Sequence, residues 1–409
     1  MNQGAVPNAG PRPQVAIIGG GPAGLIAADV LAGNCEVHLY EQARMVGRKF
    51  LVAGDGGLNI TNSATDEVLF AQFTPRSFMQ PLLEEFGPTE LRAWLTGLGV
   101  RTYVGSSGRV FPERGMKPAE VLAAIRHRLN ERGVNIHYGH TFVGFDPQAL
   151  PILECSNGRI TIKAEAVLFA LGGASWPKTG STGAWRDHFE AIGVHTVPFT
   201  ASNCGLEIDW PANVRPHEGK PLKNIVVGSG DRSVRGEATI TSYGLEGNAI
   251  YPVVPAIREA LASGGPVFLT IDLKPDLTLE QMELRLRDAA WKERMAALRL
   301  DRQAVALYKA FTPLERSLDG RWLAHDLKNL RIPVRALRPV EEAISTVGGV
   351  SLNEVGPDLE LLKHPRLFVA GEMLDTDAPT GGYLLQAAFS MGSRVAMAML
   401  KKLTGQDRV

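Results

Sequence analysis

Read as apolar and polar positions, the chain alternates between short continuous apolar runs and stretches of helical period. Val15, Ala16, Ile17 and Ile18 form a run of four that predicts a buried strand. Six small residues follow, Gly19-Gly20-Gly21-Pro22-Ala23-Gly24, and then an apolar, alanine-rich stretch over 25–32 that predicts a helix. Residues 36–40 predict a second strand, which runs straight into Glu41. Residues 134–138, 166–171 and 366–370 are further strand-like runs. Those at 166–171 and 366–370 are apolar almost without a break, as in a parallel sheet covered on both faces. Residues 77–98, broken at Gly87-Pro88, and residues 118–132 carry helical periodicity. Residues 152–155 and 159–163 predict a hairpin around Asn157-Gly158.

The pattern changes at about residue 196. Short strands are predicted at 224–227, 237–241 and 267–271, followed by a charged helical region over 278–330. Residues 366–370 then restore a buried strand, closed by Gly371-Glu372, and Thr380-Gly381-Gly382-Tyr383-Leu384 opens a long last helix through Met399. That late strand has no partner inside the intervening block. The expected division is therefore a tail at 1–13, one discontinuous domain over 14–195 and 346–409, and an insert at 196–345. The insert is β-rich over 196–275 and helical over 276–345. The late strand should bring Gly371 beside Gly19 and Gly172, at the carboxyl ends of the sheet. The insert should cover the reacting end of the ligand, with Asn203, Tyr243 and Glu246 within reach of substrate.

The chemistry sits where apolar runs end. Gly19, Gly21 and Gly24 have GxGxxG spacing between a strand and a helix, and Glu41 follows about 20 residues on, which is a dinucleotide-binding pattern. The first glycine makes the turn, the second lets backbone N–H groups approach a pyrophosphate at the helix N-terminus, and the third lets helix and strand touch. Glu41 can accept hydrogen bonds from a ribose. Gly47-Arg48-Lys49 and the glycine- and asparagine-rich stretch 54–62 read as a loop laid along a polyanionic ligand, with the two cations against phosphate charge. Gly172-Gly173 and the glycine pair at 381–382 mark two further strand or helix ends of the same kind.

Composition narrows the picture only a little. The 409 residues are 44% hydrophobic and 21% charged with no net charge, ordinary for a globular enzyme and without a bias toward nucleic acid or an anionic surface. The three cysteines form no CxxC pair, which argues against a dithiol reductase and fits a reducing, cytoplasmic setting. No apolar run is long enough to span a membrane. The helical block over 279–340 carries an excess of Lys and Arg, which reads first as a solvated face.

Taken together, the ordered blocks resemble the BaiN/RdsA (YhiN-like) family of FAD-dependent oxidoreductases. The marks are Gly19 to Gly24 with Glu41, Gly47-Arg48-Lys49, Gly54 with the stretch from Asn59 to Asn62, the stretches 177–183 and 345–350, and 367–372 with 380–386. The resemblance implies an α/β fold: a three-layer Rossmann-type FAD-binding domain of the glutathione-reductase class, with an inserted β-barrel plus helical domain. It implies that Gly19, Gly21, Pro22, Ala23 and Gly24 hold the pyrophosphate and Glu41 the ribose. Arg48, Lys49 and Asn59 would lie along the cofactor, Val143 would meet adenine through its backbone, and Gly172 would line the same pocket. Gly371 and Glu372 would face the ribityl chain, and the helix opening at Gly381, Gly382, Tyr383 and Leu384 would point at the flavin. The sequence departs from the family in three places. A GGGRCN loop is Asp55-Gly56-Gly57-Leu58-Asn59 here, an FTHxGLSGPA motif is the stretch from Ile240 to Ala249, and an NL pair is Leu384-Leu385.

The expected function is an FAD-dependent oxidoreductase that transfers hydride through flavin N5. Reduction of an activated C=C bond in a small molecule or nucleobase is the first expectation, with Tyr243 and Glu246 as catalytic acids and NAD(P)H as a transient reductant. An FAD-dependent amine oxidase and an RNA-associated flavoprotein acting mainly by binding are the alternatives. An NAD-linked dehydrogenase is disfavoured, because the segment from Gly371 to residue 386 has no role in it. No metal site is expected, and the oligomeric state is not indicated.

Overall fold

The computed structural model describes residues 11–53, 57–105, 107–287, 289–290 and 293–405. Residues 1–10 of the expected tail, and Gly54, Asp55 and Gly56 of the glycine loop, lie outside the described residues. The chain divides into two compact units, Met1–Thr200 with Ser345–Val409, and Ala201–Ile344.

The first unit is built on a five-stranded parallel sheet. Its strands are β1 (Gln14–Ile18), β2 (Glu36–Glu41), β3 (Asn135–Tyr138), β4 (Ala166–Phe169) and β5 (Leu367–Val369), in the order β5-β4-β1-β2-β3. The latest strand in sequence thus pairs with β4, Leu168 opposite Phe368. β4 and β5 are buried at every residue, and β1 at all but its first, which is why their sequences are unbroken apolar runs.

Helix α1 (Pro22–Leu31) packs on one face, with Gly24 against Ile17. The last helix, which we label α4 (Tyr383–Thr404), lies along α1. A Cβ added at Gly392 would stand 2.2 Å from the Ala23 carbonyl oxygen, so only glycine permits this approach. The short helices α2 (Arg48–Ala53) and α3 (Asp66–Phe70) lie between them in sequence. Phe169 pairs in register with Ile18, one residue on from Ile17, so its side chain points to the opposite face. There it meets Phe142 at 5.2 Å and Phe145 at 5.5 Å. Those rings belong to a three-stranded antiparallel layer, Thr141–Phe145, Pro151–Cys155 and Gly158–Thr161. Helices, parallel sheet and antiparallel layer make three layers. Thr196–Ala201 pairs with Thr346–Val350, so the unit boundary falls after Thr200, a few residues beyond the insert start taken from the sequence.

The second unit is an antiparallel sheet of seven strands. In order they are Leu330–Val334, Val267–Asp272, Pro221–Ser229, Arg232–Ile240, Gly244–Glu246, Leu206–Glu207 and Ala336–Leu337. The two outer strands are separated in sequence by Arg335 alone, so the sheet must curl until its edges adjoin, in the manner of a barrel. Its strands alternate, buried at Val267, Leu269 and Ile271 and again at Leu330, Ile332 and Val334. Helices Leu279–Arg287, Arg302–Phe311 and Gly320–Lys328 add Met282, Leu307 and Leu327 to the same core.

Candidate cofactor site and proton-bearing cluster

The glycine turn after β1 uses its glycines for two different purposes. Gly19 has φ +112, and an added Cβ would stand 2.3 Å from the Ala170 carbonyl oxygen. At Gly24 an added Cβ would stand 2.1 Å from the Gly19 carbonyl oxygen. Both positions are glycine because backbone meets backbone there. Gly21 is different: an added Cβ meets nothing within 4 Å. It caps α1 without a side-chain partner, and Pro22 begins the helix. The first-turn N–H groups of Pro22's neighbours Ala23 and Gly24 have no carbonyl within the helix to bond. A positive helix end behind an unfilled glycine is a cradle for an anion, and it fits a dinucleotide pyrophosphate.

Glu41 ends β2 beside this cradle. Its Oε2 accepts the Gly20 N–H at 2.9 Å and its Oε1 accepts the Ala43 N–H at 2.8 Å. Burial raises its carboxyl above the ordinary glutamate value, opposed by those backbone hydrogen bonds and by the charge of Arg48. A carboxylate accepts up to about four hydrogen bonds, so beyond the backbone N–H groups Glu41 retains capacity for a ribose hydroxyl. The chain leaving β3 returns to the same place, because the His140 N–H donates to the Glu41 carbonyl at 3.1 Å. Three residues on, Val143 sits at a bulge between the pairs Phe142–Leu153 and Gly144–Ile152, so its backbone lies outside the regular ladder.

Arg48 and Lys49 are neighbours whose side chains take different partners. The Arg48 guanidinium donates to the Lys178 carbonyl at 2.7 Å, while its charge acts on Glu41. The Lys49 ammonium reaches Glu372, just beyond β5, at 2.6 Å and Ser175 Oγ, in the loop after β4, at 2.7 Å. The other oxygen of Glu372 accepts the Thr346 N–H at 3.0 Å. Ser175 and Thr346 are buried members of this network that sequence reading did not single out, because a lone Ser or Thr in a loop carries no spacing signal. Nearby, Gly172 has φ +75 and its carbonyl accepts the Trp185 indole N–H at 2.9 Å. The Gly371 N–H points at the Met391 sulfur, 3.2 Å away on α4.

The start of α4 is held by the strand Thr61–Asn62. Gly382 has φ +97, with room for no Cβ against the Thr61 backbone, 2.4 Å away. Asn62 donates to the Gly381 carbonyl at 3.2 Å, and buried Gln386 accepts from Thr61 Oγ1 at 2.6 Å. Tyr383 sets its ring edge-on to Phe73, Leu384 is half-buried, and so is Asn59, just before the strand. The turn at Gly19–Gly24, Glu41, Arg48, Lys49, Gly172, Gly371 and Glu372 thus gather along the carboxyl ends of the parallel strands. Gly381 to Leu384 stand one stretch of helix away, about 15 Å along α4 from Gly392, where it meets α1.

The two residues expected to carry protons lie together in the second unit. The Tyr243 hydroxyl donates to Glu246 Oε2 at 2.5 Å. Burial and the adjacent carboxylate push the Tyr243 phenol well above its ordinary value, and Tyr251, half-buried and facing the same charge, is pushed up to about 12. The Arg338 guanidinium lies 4.3 Å over the Tyr243 ring and is fixed by Glu207 and Glu342. Gly205 lets the ring approach, since an added Cβ would be 2.8 Å from it. The phenol therefore holds its proton tightly, and that proton is directed at the Glu246 carboxylate. Asn203 is buried in the same unit.

Known proteins are similar to this chain over most of its length. A 3-dehydro-bile acid delta(4,6)-reductase of Clostridium scindens is 25% identical over 93% of this chain and 97% of that protein. A ribosomal RNA dihydrouridine synthase of Escherichia coli is 23% identical over 91% of this chain and 94% of that protein. Among solved structures, a 3-ketosteroid delta1-dehydrogenase of Sterolibacterium denitrificans has a TM-score of 0.52 at 14% identity, covering 95% of this chain and 99% of that one, a likeness of fold. The family model for the HI0933-like protein Rossmann domain matches residues 13–398, nearly the whole chain, and the chain belongs to that family.

Proposed function

We propose that the chain is an FAD-dependent oxidoreductase that reduces an activated C=C bond. The observation that carries this reading is the open position at Gly21, on the end of a helix and flanked by Glu41, within a chain whose curated relatives are named as a reductase and as dihydrouridine synthases. Bound FAD supplies two-electron chemistry at a substrate carbon. The chain's own residues bind it, with Gly19, Gly21, Pro22, Ala23 and Gly24 at the pyrophosphate, Glu41 at the ribose and the Val143 backbone at adenine. Gly172, Gly371, Glu372 and the start of α4 from Gly381 to Leu384 take the remaining length, with Arg48, Lys49 and Asn59 along it. The parallel-sheet unit is the cofactor domain and the second unit the substrate domain. Within the latter, Tyr243 and Glu246 hold the proton that completes reduction of a C=C bond.

The substrate is a conjugated enone or a pyrimidine ring, the two kinds of acceptor that the relatives' names indicate, and NAD(P)H is the transient reductant. Acid release of the cofactor from purified protein, followed by chromatography, tests the first step: FAD is expected, and FMN alone, or no flavin after reconstitution, overturns it. An anaerobic spectral screen tests the second. NAD(P)H should bleach the flavin and an enone or uracil acceptor should restore it. Bleaching of the oxidised flavin by an amine, or restoration by none of these acceptors, overturns the C=C reading.

A further inference from the structure

Arg48 and Lys49 begin one short helix, yet their side chains part. Arg48 donates to the Lys178 carbonyl, in the loop after β4, and its charge acts on Glu41 at the end of β2. Lys49 turns to Glu372 and Ser175, on the side of β5 and β4. The sheet order β5-β4-β1-β2-β3 separates β2 from β5 by three strand spacings, or about 14 Å at 4.8 Å each. A dinucleotide with its ribose at Glu41 and its pyrophosphate at the turn after β1 must extend toward β4 and β5. Its redox-active ring therefore lies at the end to which Lys49 is directed.

Lys49 is also not used up by the protein. An ammonium has three donors. Two are taken by Ser175 and Glu372, and the third has no partner among the described residues. Glu372 in turn is held at both oxygens, one by Lys49 and the other by the Thr346 N–H and hydroxyl. The arrangement is a half-buried cation, fixed in place by an acid that is itself fixed, with one donor left over.

We propose that Lys49 is the residue that sets the reduction potential of the bound flavin, with Glu372 as its counterweight. This rests on the FAD reading above. Two-electron reduction places negative charge on the ring, and a fixed cation at that end favours the reduced form. Glu372 positions the cation and offsets part of its charge. Removing each partner should therefore shift the potential in opposite directions, which loss of local structure would not do.

The test is made on FAD-loaded full-length protein by equilibration with reference dyes, with the visible spectrum reporting flavin content. Lys49→Met should make two-electron reduction at least tenfold less favourable, about 30 mV more negative for a two-electron couple. Lys49→Arg should stay within about threefold of the parent. Glu372→Gln, which keeps an acceptor for Thr346, should shift the potential to more positive values. An unchanged potential in flavin-loaded Lys49→Met, or a shift of both variants in one direction, overturns the proposal. Should Lys49→Met fail to retain flavin, the sign of the Glu372→Gln shift decides it alone. A parent protein that takes up no flavin overturns the FAD reading instead.

Discussion

The two units hold their sheets differently, and that difference decides where function can be written. In the parallel sheet, β4 and β5 are covered on both faces, and β1 on all but its first residue. Groups free to meet a ligand are pushed to the strand ends, immediately after an apolar run, where Gly19, Glu41, Gly172 and Gly371 stand. In the curled antiparallel sheet one face is covered and the other is not, as the alternation over Val267–Asp272 shows. Polar side chains can then carry chemistry anywhere along a strand or turn. Tyr243 and Glu246 are three residues apart on such a turn and strand end, and nothing in their local pattern distinguishes them from surface residues.

The largest effects should come from glycines at which backbone meets backbone, in either unit. Gly24→Ala drives a Cβ against the Gly19 carbonyl, and Gly244→Ala drives one to 1.9 Å from the Leu206 carbonyl at φ +156. Neither backbone can yield cheaply, so each variant should lose roughly 3 kcal/mol or more, or fail to fold. Gly21→Ala is the contrast within the same motif. It should stay within about 0.5 kcal/mol of the parent in denaturant, yet bind FAD at least about tenfold more weakly. Equal stability losses at Gly21 and Gly24 would erase the distinction between packing and ligand glycines.

Next in size is the pair in the second unit. Tyr243→Phe removes the hydroxyl while keeping the ring under Arg338, so stability should change by only about 1 kcal/mol. Turnover should fall by roughly 10²- to 10⁴-fold, the range for a positioned proton donor. FAD content should not change. Full turnover in the variant would return Tyr243 to a structural role.

A smaller effect belongs to Glu41, the acid at the end of β2. Glu41→Ala should weaken FAD by roughly 1.5–3 kcal/mol, or about 10- to 150-fold, as expected for a charge-assisted hydrogen bond. Equilibrium titration of the apoprotein measures it. Since Glu41 also accepts the Gly20 and Ala43 N–H groups, Glu41→Gln should lose less, having kept one acceptor. A dissociation constant unchanged in Glu41→Ala would mean that the acid serves only the turn.

The order β1, glycine turn, α1, β2 and acid was legible because each step has a one-dimensional signature: an apolar run, a glycine spacing, a helical period. The pairing of the late strand with β4 was legible by exclusion. The Lys49, Glu372, Ser175 and Thr346 network was not, because it joins four segments that are far apart in sequence and each contributes one common residue. Nor could spacing reveal that Arg48 and Lys49 diverge. That follows from the geometry of a helix start, where consecutive side chains point about 100° apart. The pairing of Thr196–Ala201 with Thr346–Val350 was missed for the same reason, and it moved the unit boundary.

The parallel sheet holds one exception to its own rule, and it should give the smallest effect. His38 and His137 sit within β2 and β3, not at their ends, with ring nitrogens 3.0 Å apart. Tyr40 stacks on His137 at 4.7 Å, His140 stands 5.8 Å from it, and Glu36 and Gln14 meet His38 at 3.1 and 3.2 Å. Burial, then the charges of His38 and His140, hold His137 below the ordinary imidazole value of 6.5. The folded protein thus binds this proton less readily than the unfolded chain. Its contribution to stability is fully present above pH 6.5 and is lost as pH falls through that value toward the folded one. His137→Gln should flatten the dependence of unfolding free energy on pH just below 6.5, while leaving FAD affinity at neutral pH within about twofold. Imidazole resonances followed by NMR should show His137 titrating below 6.5. If it titrates at or above that value, or if the slope survives the substitution, the histidines are an ordinary solvated edge and the rule that this sheet confines its polar chemistry to strand ends stands without exception.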